Sequence, residues 1–375
     1  MRPQVVRLAR AGWSRRAIMA ELGVSRGFVD HWAGDTPGPL EADQRGWPTG
    51  TARRYLPAVL RRVQALHQQL VKDPTAFFTG ATAIQQAYAR RYPRSPLPSL
   101  RTLGRLLRAL GCSTPRQHGR QRGAAAYLGY PTQTLATLAP RVLELDFIGP
   151  RYLAGSAAPL HFVGVSCQRA PRLRYFYRVE SVTTAALLTV CADLLQRHEH
   201  PLVLKVDNAP VTIGSGSAPR TVSRFVQWLW ARAITPVFAV PRQPFSQASI
   251  EGNNSVFARK FWRARLFTSV ADVDRQLTWF NRASLAYTGY APPPPAPPPA
   301  TGFTPRIHFL RQVQERDGAT GIDVLHTWVP LAARYAPLFV LATWDLPAAQ
   351  LTVRLEREGT SRIIARQPFH QHHAP

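Results

Sequence analysis

Three acidic residues stand where an acid is out of keeping with its neighbours. Asp146 falls inside the apolar run of "RVLELDFIG", Asp207 closes "PLVLKVDN", and Glu251 is the only acid of "PFSQASIEGNNSVFARKFW", a stretch otherwise rich in Arg, Lys and Asn. An unpaired carboxylate inside an apolar strand is expensive to bury. Three carboxylates brought together would repel one another unless cations sat between them. Hard oxygen ligands of this kind suit Mg²⁺ or Mn²⁺, and two such ions can activate a water or hydroxyl and stabilise the leaving oxygen of a phosphodiester. Each acid also has a plainer explanation. Asp146 could be a strand-edge charge, Asp207 the start of an Asx turn with Asn208, and Glu251 a solvated charge in a first helical turn. Glu144, two residues before Asp146 and on the same face of the strand, is a rival ligand, whereas Glu180 and Asp193 lie at positions less suited to converge. Cys112, Cys167 and Cys191 match no zinc-ligand spacing and no disulfide framework.

The elements that must position these acids are legible in the hydrophobic pattern. "RVLELDFIG", "PLHFVGVSC" and "RLRYFYRVE" read as three β-runs at meander spacing, followed by the helical pattern "TTAALLTVCADLLQRHE". A buried-type strand, "PLVLKVDN", a helix over 220–232, the strand "ITPVFAV" and a helix starting near Glu251 complete the order βββαβαβα. This is the order of the ribonuclease H fold, a mixed sheet covered by helices. In it the first and fourth strands are central neighbours, so Asp146 and Asp207 stand side by side and the late helix lowers Glu251 onto them.

The rest of the chain speaks for a polyanionic partner. Forty-seven Lys and Arg against 21 Asp and Glu give 375 residues a formal charge of +26. Self-repulsion on that scale favours binding to nucleic acid. Residues 1–125 carry 21 basic and 6 acidic residues, hence +15 of the total. Within 1–36 the sequence predicts three short helices at helix-turn-helix spacing, with Ser14 and Ser25 as N-caps, Gly23 at the turn, and Ile18, Leu22, Val24, Phe28 and Val29 as a small core. Arg26 and His31 then lie on the outer face of the third helix, where a groove-reading helix displays its side chains. A second helix-turn-helix or winged-helix-like unit is expected over 50–125. Its last helix, capped by Ser99, carries Arg101, Arg105 and Arg108 on one face, placed for DNA contact. The core is expected over 138–290, a polyproline II spacer over 291–301, and a small C-terminal β-barrel over 302–375. The fold class is therefore multidomain α+β. About 18 consecutive apolar residues occur nowhere; with the scattered cysteines this predicts a cytoplasmic, nucleoid-associated protein with no membrane partner.

Residues 141–262 resemble the integrase core of retroviruses and of bacterial insertion-sequence transposases, the DDE recombinases. "LELDFIGP" is similar to the strand of the first Asp, "VLKVDNAP" to that of the second, and "PRQPFSQASIEGNNSVF" to the loop and helix bearing the Glu. Paired N-terminal helix-turn-helix units, a post-catalytic helix such as "ADVDRQLTWFNRASLAYTGYAP" and a small C-terminal β domain also resemble the family's bacterial members. The resemblance implies Asp146, Asp207 and Glu251 as catalytic ligands of two Mg²⁺ or Mn²⁺ ions, with Asn254 and Arg259 on later turns available to touch DNA. It implies a DNA transposase that binds terminal inverted repeats, cleaves the 3′ ends, transfers them to target DNA, and works as a homo-oligomer on DNA. Two departures stand out: Asn208 is followed by Ala209 where Gly is usual, and the 43 residues between Asp207 and Glu251 exceed the common spacing, the excess falling in "VTIGSGSAPR". Two rivals remain: a DNA-binding regulator that keeps the fold without cutting, and a ribonuclease H-type nuclease on RNA–DNA hybrids, which the two helix-turn-helix units disfavour.

Overall fold

A computed structural model describes residues 1–34, 57–113, 130–214, 218–292 and 302–372. Packing divides the chain into two units, Met1–Leu60 and Arg61–Pro375.

The first unit holds α1 (Arg2–Arg10), α2 (Arg15–Leu22) and α3 (Arg26–Trp32). The expected caps are in place: Ser14 Oγ accepts from the Ala17 amide at 3.2 Å and Ser25 Oγ from that of Phe28 at 3.4 Å. Gly23 ends α2 at φ 60, left-handed backbone that glycine takes at no steric cost. Val5, Ile18 and Val29 are buried at the centre, with Leu22, Val24 and Phe28 packed against them; α1 adds Val5 to the predicted core, and Leu8, Met19 and Trp32 also pack on it.

α4 (Pro57–Lys72), α5 (Ala81–Arg91) and α6 (Leu100–Ala109) come next. Ser99 caps α6 through the Thr102 amide at 3.2 Å. Phe77 and Phe78, between α4 and α5, pack on the rings of Phe280 and Tyr287, so this helical segment is docked on the long helix over Val270–Thr288. Residues 114–129 lie outside the described residues, and α7 (Thr132–Leu138) leads into the sheet.

β1 (Val142–Tyr152), β2 (Pro159–Cys167) and β3 (Leu173–Val179) form the predicted antiparallel meander, succeeded by α8 (Thr184–Arg197). β4 (Val203–Val206) lies parallel to β1, and β5 (Thr235–Phe238) parallel to β4. Between them come a single helical turn, α9 (Pro210–Ile213), and α10 (Arg224–Trp230). α9 occupies the start of the stretch read as an insertion; residues 215–217 of that stretch are outside the described residues. α11 (Ala248–Phe257) runs on through a π-helical turn, Ala258–Trp262, before α12 (Val270–Thr288). Alternation along the strands sorts the two faces of the sheet. Leu143, Leu145, Val163 and Val165 face a core shared with Leu187 of α8 and Phe225 of α10, whereas Ile148, Phe162 and Phe176 pack with Phe257, Phe261 and Phe280 under α11 and α12.

The C-terminal strands depart from expectation. β6 (Arg306–Gln312), β10 (Phe339–Asp345), β11 (Gln350–Arg357) and β12 (Thr360–Pro368) continue the central sheet, giving nine strands in the order β12-β11-β10-β6-β5-β4-β1-β2-β3. β7 (Gln314–Arg316), β8 (Ala319–Val324) and β9 (Thr327–Pro330) form a separate antiparallel sheet. The join is parallel pairing of Val237 with His308 and of Phe238 with Phe309. The physical reason is an edge: without β6, β5 would present unpaired N–H and C=O groups beside an apolar surface. Phe238 and Phe309 stack across the join with centroids 5.5 Å apart, and a single core runs from Leu143 through Phe238 and Phe309 to Trp344. A freestanding C-terminal barrel is thus replaced by an extension of the core. The polyproline segment from 293 to 301 lies outside the described residues.

Candidate active site

Asp146 lies in the body of β1, opposite Gly164 of β2. β1 and β4 pair in register from Val142 with Val203 to Glu144 with Lys205. Asp207 follows the end of β4 by one residue, where two further steps of that register would bring it beside Asp146, and its charge acts on the Asp146 carboxyl. α11 crosses above them, held by Asn254, whose side-chain amide donates to Asp146 Oδ2 at 2.7 Å. Glu251, three residues earlier and on the same side of the helix, is exposed. Burial, then the negative charge of Asp207, then that of Glu251 push the Asp146 carboxyl up to about 6, partly offset by the Asn254 bond. Burial likewise raises Asp207, against bonds from the Ala209 amide and the Thr212 hydroxyl, and burial with the Glu144 charge raises Glu251. The plainer reading of Asp207 is half realised: its Oδ1 accepts from the Ala209 amide at 3.2 Å in an Asx turn that starts α9.

Among the described residues, no group of three or more His, Cys, Asp and Glu side chains is drawn close enough together to hold a metal ion. The chemistry of the donor set still fits one. Asp146 feels the charges of both other acids, and a divalent cation would relieve that repulsion with the oxygen ligands it prefers.

Glu144 is turned to another use than the rival-ligand role weighed for it. Its Oε2 accepts from the Ile250 amide in the first turn of α11 at 3.0 Å, and its Oε1 is 3.3 Å from Lys205 Nζ. On the far side of Asp207, Asn208 donates to the Ala239 carbonyl at 2.6 Å and accepts from Arg311 Nη2 at 3.0 Å. Arg311, on β6, is buried and also bonds the Ala239 and Asp323 carbonyls. α11 has a further tether: Ser166 Oγ of β2 lies 2.8 Å from Ser249 Oγ and accepts from Asn253 at 2.5 Å. Sequence reading missed Lys205, Arg311, Gly164 and Ser166. Lys205 alone carried a signal, as a lysine in an apolar strand of an arginine-dominated chain.

The residues proposed for DNA contact separate into two groups. Arg101, Arg105 and Arg108 are exposed along one face of α6. Arg26 and His31 are exposed on α3, Arg26 beside Asp30 at 3.6 Å and the His31 ring edge-on to Trp32. Arg259 is exposed on the π-helical turn, its Nε donating to the Ser255 carbonyl at 3.2 Å. Asn254 points the other way, inward onto Asp146, because its position on α11 faces the sheet with Ile250, Asn253 and Phe257.

No protein-family profile matches the chain, and no curated protein matches it. Among solved structures it is similar to a chain of the simian T-cell lymphotropic virus intasome in complex with PP2A regulatory subunit B56 gamma. Identity is 14% over 78% of this chain and 95% of that one, with a TM-score of 0.32, a distant likeness. No helix among the described residues is long and apolar enough to cross a membrane.

Proposed function

We propose that this chain is a DDE-type DNA transposase, a polynucleotidyl transferase that binds the terminal repeats of a mobile element, cleaves its 3′ ends and joins them to target DNA. The supporting observation is that Asp146 on β1 and Asp207, just past the end of the adjacent parallel strand β4, lie beneath the helix of Glu251, with Asp146 pushed up to about 6 by burial and its acidic neighbours. The strand order β3-β2-β1-β4-β5 is read as ribonuclease H-like. Asp146, Asp207 and Glu251 would hold Mg²⁺ or Mn²⁺. The bound ions would supply charge neutralisation at the phosphodiester and a more acidic water or hydroxyl. The protein's own part is to hold Asp146 through Asn254, to fix Asp207 through the Asx turn and Thr212, and to meet DNA with the exposed face of α3 and the basic face of α6. Donor ends and target together call for more than one protomer.

The test uses the purified full chain on DNA carrying the sequences that flank its gene. Asp207→Asn or Glu251→Gln should bind that DNA as the wild type does, while Mg²⁺- or Mn²⁺-dependent nicking and strand transfer fall by at least about a hundredfold, the scale on which single electrostatic groups act in catalysis. A second reading, a DNA-binding regulator without nuclease activity, is favoured by one observation, that the three acids are not drawn into a metal-sized group. Tight binding by the wild type with no cation-dependent nicking would decide for it.

A further inference from the structure

The elements that carry the three acids are tied a second time, one step behind the site. Glu144 and Lys205, each two residues before an aspartate, face each other across β1 and β4, and the amide of Ile250, the residue before Glu251, meets them from α11. Lys205 is 6% exposed. Its ammonium donates to Glu144 Oε1, to the carbonyl of Ser246 in the turn that leads into α11, and to the Tyr130 hydroxyl at 3.4 Å. That hydroxyl donates in turn to the same Ser246 carbonyl at 3.2 Å. Burying an ion pair is costly, and apolar side chains of similar volume often hold two strands at least as firmly. What the pair provides that apolar contact does not is direction. Glu144 grips one backbone N–H of the first turn of α11, and Lys205 grips the carbonyl just before that turn, so the start of the helix is fixed against both strands.

We propose that the Lys205–Glu144 pair is a positioning element that sets where Glu251 stands relative to Asp146 and Asp207. It touches no reacting atom. The inference rests on reading the three acids as a cation site, and it predicts that the pair tunes cation affinity as groups behind metal ligands do, by about 10- to 100-fold.

The experiment is calorimetric titration of the full chain with Mn²⁺, without DNA, alongside thermal melting in EDTA. Glu144→Gln/Lys205→Met removes both charges at nearly constant volume and leaves no lone buried ion, so it should melt close to the wild type while Mn²⁺ affinity falls at least about tenfold. Glu144→Gln alone provides the second measurement, with the same direction expected. Wild-type Mn²⁺ affinity in either folded variant overturns the inference and reduces the pair to packing. Asp207→Asn separates the two claims: if it leaves Mn²⁺ affinity unchanged, the cation site and this inference fall together; if it abolishes binding while the pair variants bind normally, this inference alone fails.

Discussion

A Cβ added at Gly164 would lie 2.7 Å from Asn254 Oδ1 and 3.3 Å from Ile250 Cδ1, so the absence of a side chain on β2 is what lets α11 come down onto Asp146. Gly164→Ala should cost about 1–3 kcal/mol in urea unfolding, as overpacking does, and, on the proposed function, lower nicking by displacing Asn254. Adding Asn254→Ala to that variant should cost little more, a coupling that a double-mutant cycle reads directly. Asp146 also predicts a pH dependence. Its carboxyl is raised from 3.8 to about 6 on folding, so the folded chain holds the proton more tightly, and the stability this contributes is fully present below about pH 4 and lost as pH rises through about 6. Relative to Asp146→Asn, which lacks this titration, the wild type should therefore lose on the order of 3 kcal/mol between pH 4 and 7 in cation-free urea titrations. Parallel curves for the two proteins would contradict it. At this scale the sequence was informative wherever a charge interrupted an apolar run, which is how Asp146 and Asp207 stand out. Lys205 interrupts such a run just as plainly. Its partners, the Ser246 carbonyl and Tyr130, lie 41 and 75 residues away, and no local pattern signals a bond of that span.

Among the elements, β3 is the edge strand that matters most, since the sheet ends there on the side of the meander. Asn281 of α12 closes part of that edge: its Oδ1 accepts from the Phe176 amide at 3.0 Å and its Nδ2 donates to the Phe176 carbonyl at 2.7 Å, both buried. Asn281→Leu would orphan a donor and an acceptor together and should destabilise by about 2–4 kcal/mol, the cost of two unsatisfied buried backbone groups. Chemical denaturation of this variant beside the wild type reads that cost directly. Periods of two and 3.6 made the run from β1 to α12 legible, and Ser14, Ser25 and Ser99 marked their helix starts as capping chemistry dictates. The partner of β6 was not legible. Alternation says that a segment forms a strand with one apolar face, and it is silent on whose edge that strand completes.

Over the whole molecule the charge of +26 would make the proposed binding to DNA a matter of counterion release. If Arg101, Arg105 and Arg108 each meet a phosphate, replacing all three by Ala should make the log–log salt dependence of binding shallower by about 3, roughly one per contact. Loss of affinity with an unchanged slope would place them off the backbone. The charge was readable from composition alone; the shared core was not, because its two parts lie on either side of a polyproline stretch that reads as a domain boundary. That shared core has a consequence for how the gene can be divided. Residues 302–375 bring to β5 a strand, an aromatic ring on Phe238 and the guanidinium that holds Asn208, so they act as a donated part and not as a detachable module. Expressed as separate polypeptides, 1–292 and 302–375 should each be prone to aggregate, and together they should co-purify as a non-covalent pair with the Asp207 loop restored, in the manner of strand donation. Two well-behaved halves that ignore each other would show instead that the parallel join of β5 and β6 contributes little to holding the protein together.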